Sequence, residues 1–281
     1  MTHEPDMLLP REMAEAAEEA GVRKAHLPTP ILIVLAILAG AFIALGAALS
    51  HVVLTGNTAH WGLMRWVAGL AFSLGLVLVI FSGAELFTGN NLLVMAFANK
   101  RISLYRLFRN WFWVLLGNAL GASLIAVLIY FSGYAGMHQG DVGLTVLQAA
   151  ASKCALSASS AFFLGVLCNM LVCLAVWMSL SALDAGGKLW TIVFPVAAFV
   201  ACGFEHVVAN LYLFPLAYLL KVFPSEGGLF AVPDAAVLMA IEPVSMMQNL
   251  FFVLLGNMVG GVVLVGLVYW FVYLQKRTSK L

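Results

Sequence analysis

The chain has 281 residues, of which 63% are hydrophobic and only 10% are charged. Because soluble domains carry about 25% charged residues, this composition excludes a soluble globular protein. The 14 Lys and Arg nearly cancel the 13 Asp and Glu, which excludes a strongly basic surface for nucleic acid. The composition predicts a polytopic membrane protein, and since one crossing needs about 20 apolar residues, the length allows about six crossings.

Residues 1–28 precede the first apolar stretch and are predicted to form a cytoplasmic N-terminal segment. Within this segment, Pro10–Ala25 is predicted to be an amphipathic helix, because its apolar and acidic side chains recur at helical spacing. The apolar side holds Met13, Ala17, Ala20 and Val22, and the more exposed side holds Glu15, Glu18 and Glu19. One interpretation of this helix is an interfacial anchor, and the other is a lid.

Six apolar segments follow and predict six membrane-spanning segments: Thr29–Val53, Leu63–Ala98, Leu107–Phe131, Ala155–Leu183, Leu189–Leu220 and Leu250–Leu274. The polar stretches Ser82–Asn91 and Cys202–Asn210 interrupt the second and the fifth segments. Irregular backbone at membrane depth is tolerated only where it is buried in protein or lines a cavity. The two breaks are therefore predicted to line a pathway.

The basic residues of the connections predict the orientation. Eleven Lys and Arg lie in the two termini and in the second-to-third and fourth-to-fifth connections. The other side has only Lys221 in its loops, and Arg65 and Lys153 are predicted at the helix starts that face it. This asymmetry predicts an inner-membrane protein with both termini in the cytoplasm. We therefore expect a transmembrane domain over 29–274, with repeats over about 29–131 and 155–274, and a cytoplasmic tail over 275–281.

The two interrupted segments repeat each other. The matched positions are Gly83 and Gly203, Glu85 and Glu205, and Asn90 and Asn210, all at an offset of 120, and Leu115–Gly121 and Leu254–Gly260 at an offset of 139. Because each half contains three predicted spans, the two copies lie in opposite orientations across the bilayer. This pattern predicts an inverted repeat with a site near the bilayer midplane, where the breaks meet.

At these residues the chain resembles the formate/nitrite transporter family, and its formate-channel branch. The matching stretches include AFSLGLVLVIFSGAELFTG, LCNMLVCLAVWMS, FVACGFEHVVAN and LLGNMVGG. The resemblance implies an all-α, aquaporin-like protomer with six helices in an inverted 3+3 repeat, broken helices two and five, and a pore of its own in a homopentamer. The family passes small monovalent anions. One departure is Ser152–Ser160, which lacks the histidines that formate channels have there.

The resemblance places four residues along the substrate pathway. His206 is the principal candidate, because imidazole titrates near neutrality and an ionisable group within the membrane is a functional-site hypothesis. It could hydrogen-bond the passing anion or lend it a proton. Thr88 and Asn169 are predicted to hydrogen-bond the ring or the substrate, and Lys153 is predicted to concentrate anions at the outer mouth.

Two further sets of residues have predicted roles. Apolar constrictions that gate by dewetting are expected at Phe72, Leu76, Leu86, Phe87, Val172 and Phe199, for which core packing is the alternative. The symmetric pairs Glu85 and Glu205, and Asn90 and Asn210, are predicted to be structural, with the glutamates accepting the backbone N–H groups freed by the breaks. Asn90, Asn210, Asn118 and Asn257 are predicted to satisfy backbone groups as well.

The predicted function is a channel or transporter for formate, with transient protonation at His206 as one possible step. Nitrite, hydrosulfide and acetate remain open as substrates. A membrane-embedded enzyme is a remote alternative, because the sequence contains no GxSG or HExxH motif, and a non-transporting scaffold would not need two broken spans. We predict no cofactor, no metal and no nucleic-acid partner; the expected partners are the small anion, the lipid bilayer and further copies of the chain.

Overall fold

A computed structural model describes residues 7–56, 59–229 and 231–275, and this part of the chain is helical. Its α-helices are α1 (Pro10–Ala25), α2 (Thr29–Leu54), α3 (Trp61–Ser82), α4 (Val94–Ala98), α5 (Leu104–Phe131), α6 (Asp141–Cys154), α7 (Ala158–Ser181), α8 (Ala185–Cys202), α9 (Val207–Val222), α10 (Ala235–Ala240) and α11 (Pro243–Met258). Helix α11 continues in π-helical turns over Val259–Leu267 and Trp270–Leu274. Apart from Gln275, the predicted tail 275–281 lies outside the described residues.

Long apolar helices dominate the fold, as the composition predicts. Over the described ranges, the helices with the length and hydropathy to cross a membrane are Thr29–Leu54, Trp61–Ser82, Leu104–Phe131, Ala158–Ser181 and Pro243–Leu274. The shorter apolar helices α8 and α9 lie on either side of the second break.

Both predicted breaks are present, and each begins at a glycine. Helix α3 ends at Ser82, after which the chain is irregular until the 3₁₀ helix Gly89–Leu93. Helix α8 ends at Cys202 and α9 begins at Val207, so only four residues separate the two helices. The capping residues Gly83 and Gly203 have φ angles of 73° and 74°, in the left-handed region that favours glycine.

Helix α6 was not predicted, and it corrects the position of Lys153. The sequence analysis places this lysine at the start of the fourth span, whereas the structure places it in the last turn of α6. Lys153 is five residues before Ala158, where α7 starts, and Lys24 is five residues before Thr29, where α2 starts. Each half of the molecule therefore begins with a short helix that carries a lysine in its last turn and precedes the first long helix of that half.

Helix α1 is docked on the body of the protein. Met13, Ala14 and Ala17 are buried in a cluster with Met95 and Trp177. This position does not fit a plain interfacial anchor.

The polar side of α1 corrects one expectation of the sequence analysis, because Glu18 is buried. It accepts hydrogen bonds from Asn99 Nδ2 at 3.1 Å and from Arg101 Nη1 at 3.5 Å. The helix is thus held by polar contacts as well as by apolar burial.

Candidate functional site

An asparagine of α5 holds the first break. Asn118 Oδ1 accepts the Phe87 N–H at 2.8 Å, and its Nδ2 donates to the carbonyls of Ala36 and Glu85 at 2.7 and 2.9 Å. One buried amide therefore satisfies three backbone groups, which would otherwise be costly to bury.

An asparagine of α11 holds the second break in the same way. Asn257 Oδ1 accepts the Val207 N–H at 2.9 Å, and its Nδ2 donates to the carbonyls of Gly165 and Glu205 at 2.8 and 2.9 Å. The side chains of Asn118 and Asn257 thus bond the backbone as the sequence analysis expects. The expectation that the carboxylates of Glu85 and Glu205 and the amides of Asn90 and Asn210 do so is wrong, because these groups bond side chains.

In the first half, the Glu85 carboxylate lies in a buried polar cluster. Its Oε1 is 3.1 Å from Lys24 Nζ, and its Oε2 accepts Asn90 Nδ2 at 2.7 Å. Asn90 Nδ2 also donates to Asn110 Oδ1 at 2.9 Å, and Asn110 Nδ2 donates to the Lys24 carbonyl at 3.3 Å. The closed ring of contacts pairs the buried carboxylate with a cation, which compensates for its loss of hydration.

In the second half, Glu205 repeats this arrangement. Its Oε1 lies 2.5 Å from Lys153 Nζ, and its Oε2 accepts Asn210 Nδ2 at 2.8 Å. Asn210 Nδ2 also donates to Asn249 Oδ1 at 2.8 Å, and Asn249 Nδ2 donates to the Lys153 carbonyl at 3.0 Å. Lys153 is therefore paired with a carboxylate, and the free cation expected at the outer mouth is not found at this residue.

Two cavities enter the protein from opposite faces. The N-terminal cavity has a volume of about 200 Å³, and its walls include Ala17, Gly21 and Lys24 of α1 together with Glu85. The opposite cavity has a volume of about 330 Å³, and its walls include His51, Arg65, Lys153, Glu205 and His206. Each cavity is thus bounded by one of the two lysine–glutamate pairs.

A narrow apolar neck of about 10 Å³ lies between the cavities, and its walls include Phe72, Leu76, Leu86, Val172, Phe199 and His206. Leu76 and Leu86 also line the N-terminal cavity, whereas Phe72, Phe199 and His206 also line the opposite one. Five of the six residues predicted to form constrictions therefore lie at the neck. Phe87 is buried but is not among the residues that line it.

His206 and Thr88 form a hydrogen-bonded pair that joins the two breaks. His206 Nε2 lies 2.9 Å from Thr88 Oγ1, and His206 Nδ1 accepts the Ala209 N–H at 3.3 Å. Because Nδ1 accepts a bond from a backbone donor, the neutral ring carries its proton on Nε2, which donates to Thr88. The Thr88 hydroxyl hydrogen is then available to another acceptor.

Among the described residues Asn169 makes no hydrogen bond to the His206 ring, so of the two bonds expected of it only the one to the substrate stays a prediction. Its Nδ2 donates to the Thr88 carbonyl, to Asn91 Oδ1 and to the Asn257 carbonyl, at 3.3, 2.9 and 2.7 Å. The amide is therefore used to hold the backbone beside Thr88.

Sequence reasoning missed several side chains around these cavities. Lys24, its neighbour Asn110, and Asn249, which bonds the Lys153 carbonyl, were not singled out, although the equal spacing of Lys24 and Lys153 before the next helix was a usable signal. Arg65 lines the opposite cavity, and only its charge at the start of an apolar helix marks it in the sequence.

Comparisons with known proteins agree with this geometry. The family model described as formate/nitrite transporter matches residues 11–271. A formate channel FocA from Escherichia coli strain K12 is 42% identical, over 97% of this chain and 96% of its own length. A probable formate transporter from Methanothermobacter thermautotrophicus is 38% identical, over 95% of this chain and 97% of its own length.

A solved structure described as a pentameric formate channel with formate bound superposes with a TM-score of 0.82 at 38% identity, covering 88% of this chain and 98% of that chain. The predicted fold class is thereby confirmed. The matched family consists of transporters and channels, so the alternative of a membrane-embedded enzyme is not supported. The chain belongs to the formate/nitrite transporter family of multi-pass membrane proteins.

Proposed function

We propose that this chain is a channel that carries formate across the lipid bilayer. The observation that carries this proposal is the apolar neck between two cavities, with His206 as the polar side chain in its wall and Thr88 hydrogen-bonded to the His206 ring. A small anion that enters the neck loses its water and gains compensating hydrogen bonds at this pair. The similarity to formate channels supports formate as the substrate.

The proposed orientation places both termini on the cytoplasmic side of the inner membrane. It rests on the eleven basic residues on that side, against Arg65, Lys153 and Lys221 on the other. The N-terminal cavity then opens to the cytoplasm and the opposite cavity to the exterior. We assign six crossings to residues 29–274, and we expect five protomers per channel because the similar solved structure is described as pentameric.

Helix α1 has the role of a lid in this proposal. Ala17, Gly21 and Lys24 form part of the wall of the N-terminal cavity. The ion pair between Lys24 and Glu85 fastens the end of α1 to the first break. Movement of α1 would therefore widen the cytoplasmic entrance and break this ion pair at the same time.

The proposed step at the neck is hydrogen bonding to the anion. His206 Nε2, in the wall of the neck, donates to a formate oxygen, and the Thr88 hydroxyl beside it makes a second, smaller contribution. A hydrogen bond to an anion is stronger than one to a neutral acceptor. Proton lending is a second possible step, in which the ring first takes up a proton. That uptake requires Nδ1 to release the Ala209 N–H.

Initial flux of labelled formate into proteoliposomes tests the function. Competition by nitrite, hydrosulfide and acetate ranks the substrates that the family resemblance leaves open. Liposomes without protein measure simple leakage of formic acid, which must be subtracted at each pH. Formate flux no greater than this leakage would overturn the proposal.

A further inference from the structure

We propose that Arg65, and not Lys153, supplies the positive charge that draws a small monovalent anion into the opposite cavity, where the anion binds near the guanidinium before it enters the neck. This inference deepens the proposed function and rests on it. It assigns to a residue outside the neck the recruitment role that the sequence analysis gives to Lys153.

The charges around the opposite cavity lead to this assignment. The ionisable side chains that line it are Arg65, Lys153, Glu205, His51 and His206. Lys153 and Glu205 form an ion pair with 2.5 Å between Nζ and Oε1, so their charges cancel at the distance of an entering anion. The Nδ1 atom of His206 accepts a backbone N–H, which fits a neutral ring.

His51 does not change this balance. Its side chain is 8% exposed, and its Nδ1 is buried without a hydrogen-bond partner among the described residues. A buried ring without an acidic partner is neutral, because an unpaired buried charge is strongly disfavoured. The remaining unmatched charge on the wall of the cavity is that of Arg65.

Neutral acceptors hold the Arg65 guanidinium in place. Nε and Nη2 donate to the carbonyls of Ala201 and Val200, both at 2.8 Å, and Cζ lies 5.6 Å from the centroid of the Trp61 ring. These carbonyls belong to the last turn of α8, where backbone acceptors outnumber intrahelical donors; the Val200 carbonyl also accepts the Gly203 N–H at 3.0 Å. They fix the direction of the guanidinium without cancelling its charge, and three of its five N–H groups remain.

The position of the guanidinium is suited to recruitment. A Cβ atom placed on Gly203 would lie 2.9 Å from Arg65 Nη2, so the charge lies against the second break, three residues before His206. The N-terminal cavity has no equivalent, because Lys24 is paired with Glu85 and the repeat counterpart of Arg65 is Ala185. The opposite cavity thus carries a charge that the other lacks.

A purely structural role for Arg65 is the competing explanation, since a cation at the end of α8 also stabilises that helix. Two substitutions separate the roles. Arg65→Lys keeps the charge and loses the planar fork, whereas Arg65→Gln keeps a hydrogen-bond donor and loses the charge. Thermal unfolding of both variants measures the structural part, and transport kinetics measure the electrostatic part.

The test is the KM for anion entry, measured in right-side-out and in inside-out membrane vesicles, so that the anion enters from one cavity in the first preparation and from the other cavity in the second. Arg65→Gln should raise the KM for entry from the opposite cavity about three- to tenfold, as expected for one charge acting over about 10 Å. It should also weaken the dependence of KM on ionic strength. The KM for entry from the N-terminal cavity should stay within about twofold, and Arg65→Lys should keep the KM of the unmodified protein.

The outcomes distinguish this inference from the proposed function. An unchanged KM in Arg65→Gln, or equal KM changes in the Gln and Lys variants, would overturn the role of the charge. Each vesicle preparation is assayed with formate and, separately, with nitrite. If the unmodified protein passes nitrite but not formate, the proposed substrate is wrong and nitrite still decides the role of Arg65. If it passes neither anion, both proposals fail.

Discussion

The two breaks of the molecule share a framework and differ at the residues that meet the pathway. In both, a glycine ends the first helix, an asparagine of a later helix bonds the freed backbone, and a glutamate pairs with a lysine. His206, however, corresponds to Leu86, and Thr88 corresponds to Val208. The repeat therefore conserves the groups that hold the backbone, whereas the hydrogen-bonding pair occurs where the two halves differ.

The largest effect is expected from breaking the shared framework. Lys24→Met and Lys153→Met each leave a glutamate that is 4% exposed without its cation. Loss of one partner of a buried ion pair costs about 3–5 kcal/mol. We expect each variant to lose about 3 kcal/mol in the free energy of unfolding, since both lysines retain some exposure to water.

Denaturant titration in mixed micelles measures both losses. The control is the double variant Lys153→Met with Glu205→Gln, which removes the unpaired charge and should recover most of the lost stability. A large loss in one half and none in the other would contradict an equivalent role for the two lysine–glutamate pairs.

The next effect comes from making the second break resemble the first. His206→Leu removes a donor at the neck and should reduce formate flux about ten- to a hundredfold, because a hydrogen bond to a charged group contributes about 1.5–3 kcal/mol. Size-exclusion chromatography checks that assembly is intact. Initial formate flux at equal protein incorporation gives the measurement.

His206→Asn is the matched variant, since it keeps an N–H donor but removes the titratable ring. Flux within about tenfold of the unmodified protein is expected if hydrogen bonding is the main contribution. A variant as inactive as His206→Leu would instead show that the ring must carry a proton. Flux between about pH 5 and 8, around the ordinary titration of imidazole, then tests proton lending.

A smaller effect is expected at the other member of the pair. Thr88→Val introduces the residue of the second half and removes the hydroxyl that bonds His206 Nε2. We expect about a five- to tenfold loss of formate flux, equivalent to about 1 kcal/mol. Thr88→Ser restores the hydroxyl and should recover most of the flux; if it does not, the threonine methyl group is what matters.

The smallest effect is expected at Tyr212, which occupies the position of Leu92 in the first half. Its hydroxyl is buried without a hydrogen-bond partner among the described residues. Tyr212→Phe keeps the ring and removes that hydroxyl, so the free energy of unfolding should rise by up to about 1 kcal/mol. A loss of stability in thermal unfolding would show that a water molecule or another protomer satisfies the hydroxyl.

The sequence predicts features whose causes are local and misses those that depend on distant pairing. Apolar length predicts the long helices, and Gly83 and Gly203 mark the breaks because only a few residue types favour a positive φ. The partners of Glu85 and Glu205 lie 61 and 52 residues away in sequence, so nothing next to either glutamate indicates a lysine. The contact between His206 and Thr88 depends on bringing the two breaks together. The inverted repeat predicts that the breaks meet, but it does not predict which of their side chains touch.

The bond between His206 and Thr88 also bears on the ancestry of the fold. An antiparallel pair of two first halves would place leucine and threonine in both breaks, and a pair of two second halves would place histidine and valine in both. Neither symmetric dimer can form the His206–Thr88 bond. Two identical copies of either present half could thus form the framework of the breaks but not the polar pair, which in this chain depends on the difference between its halves.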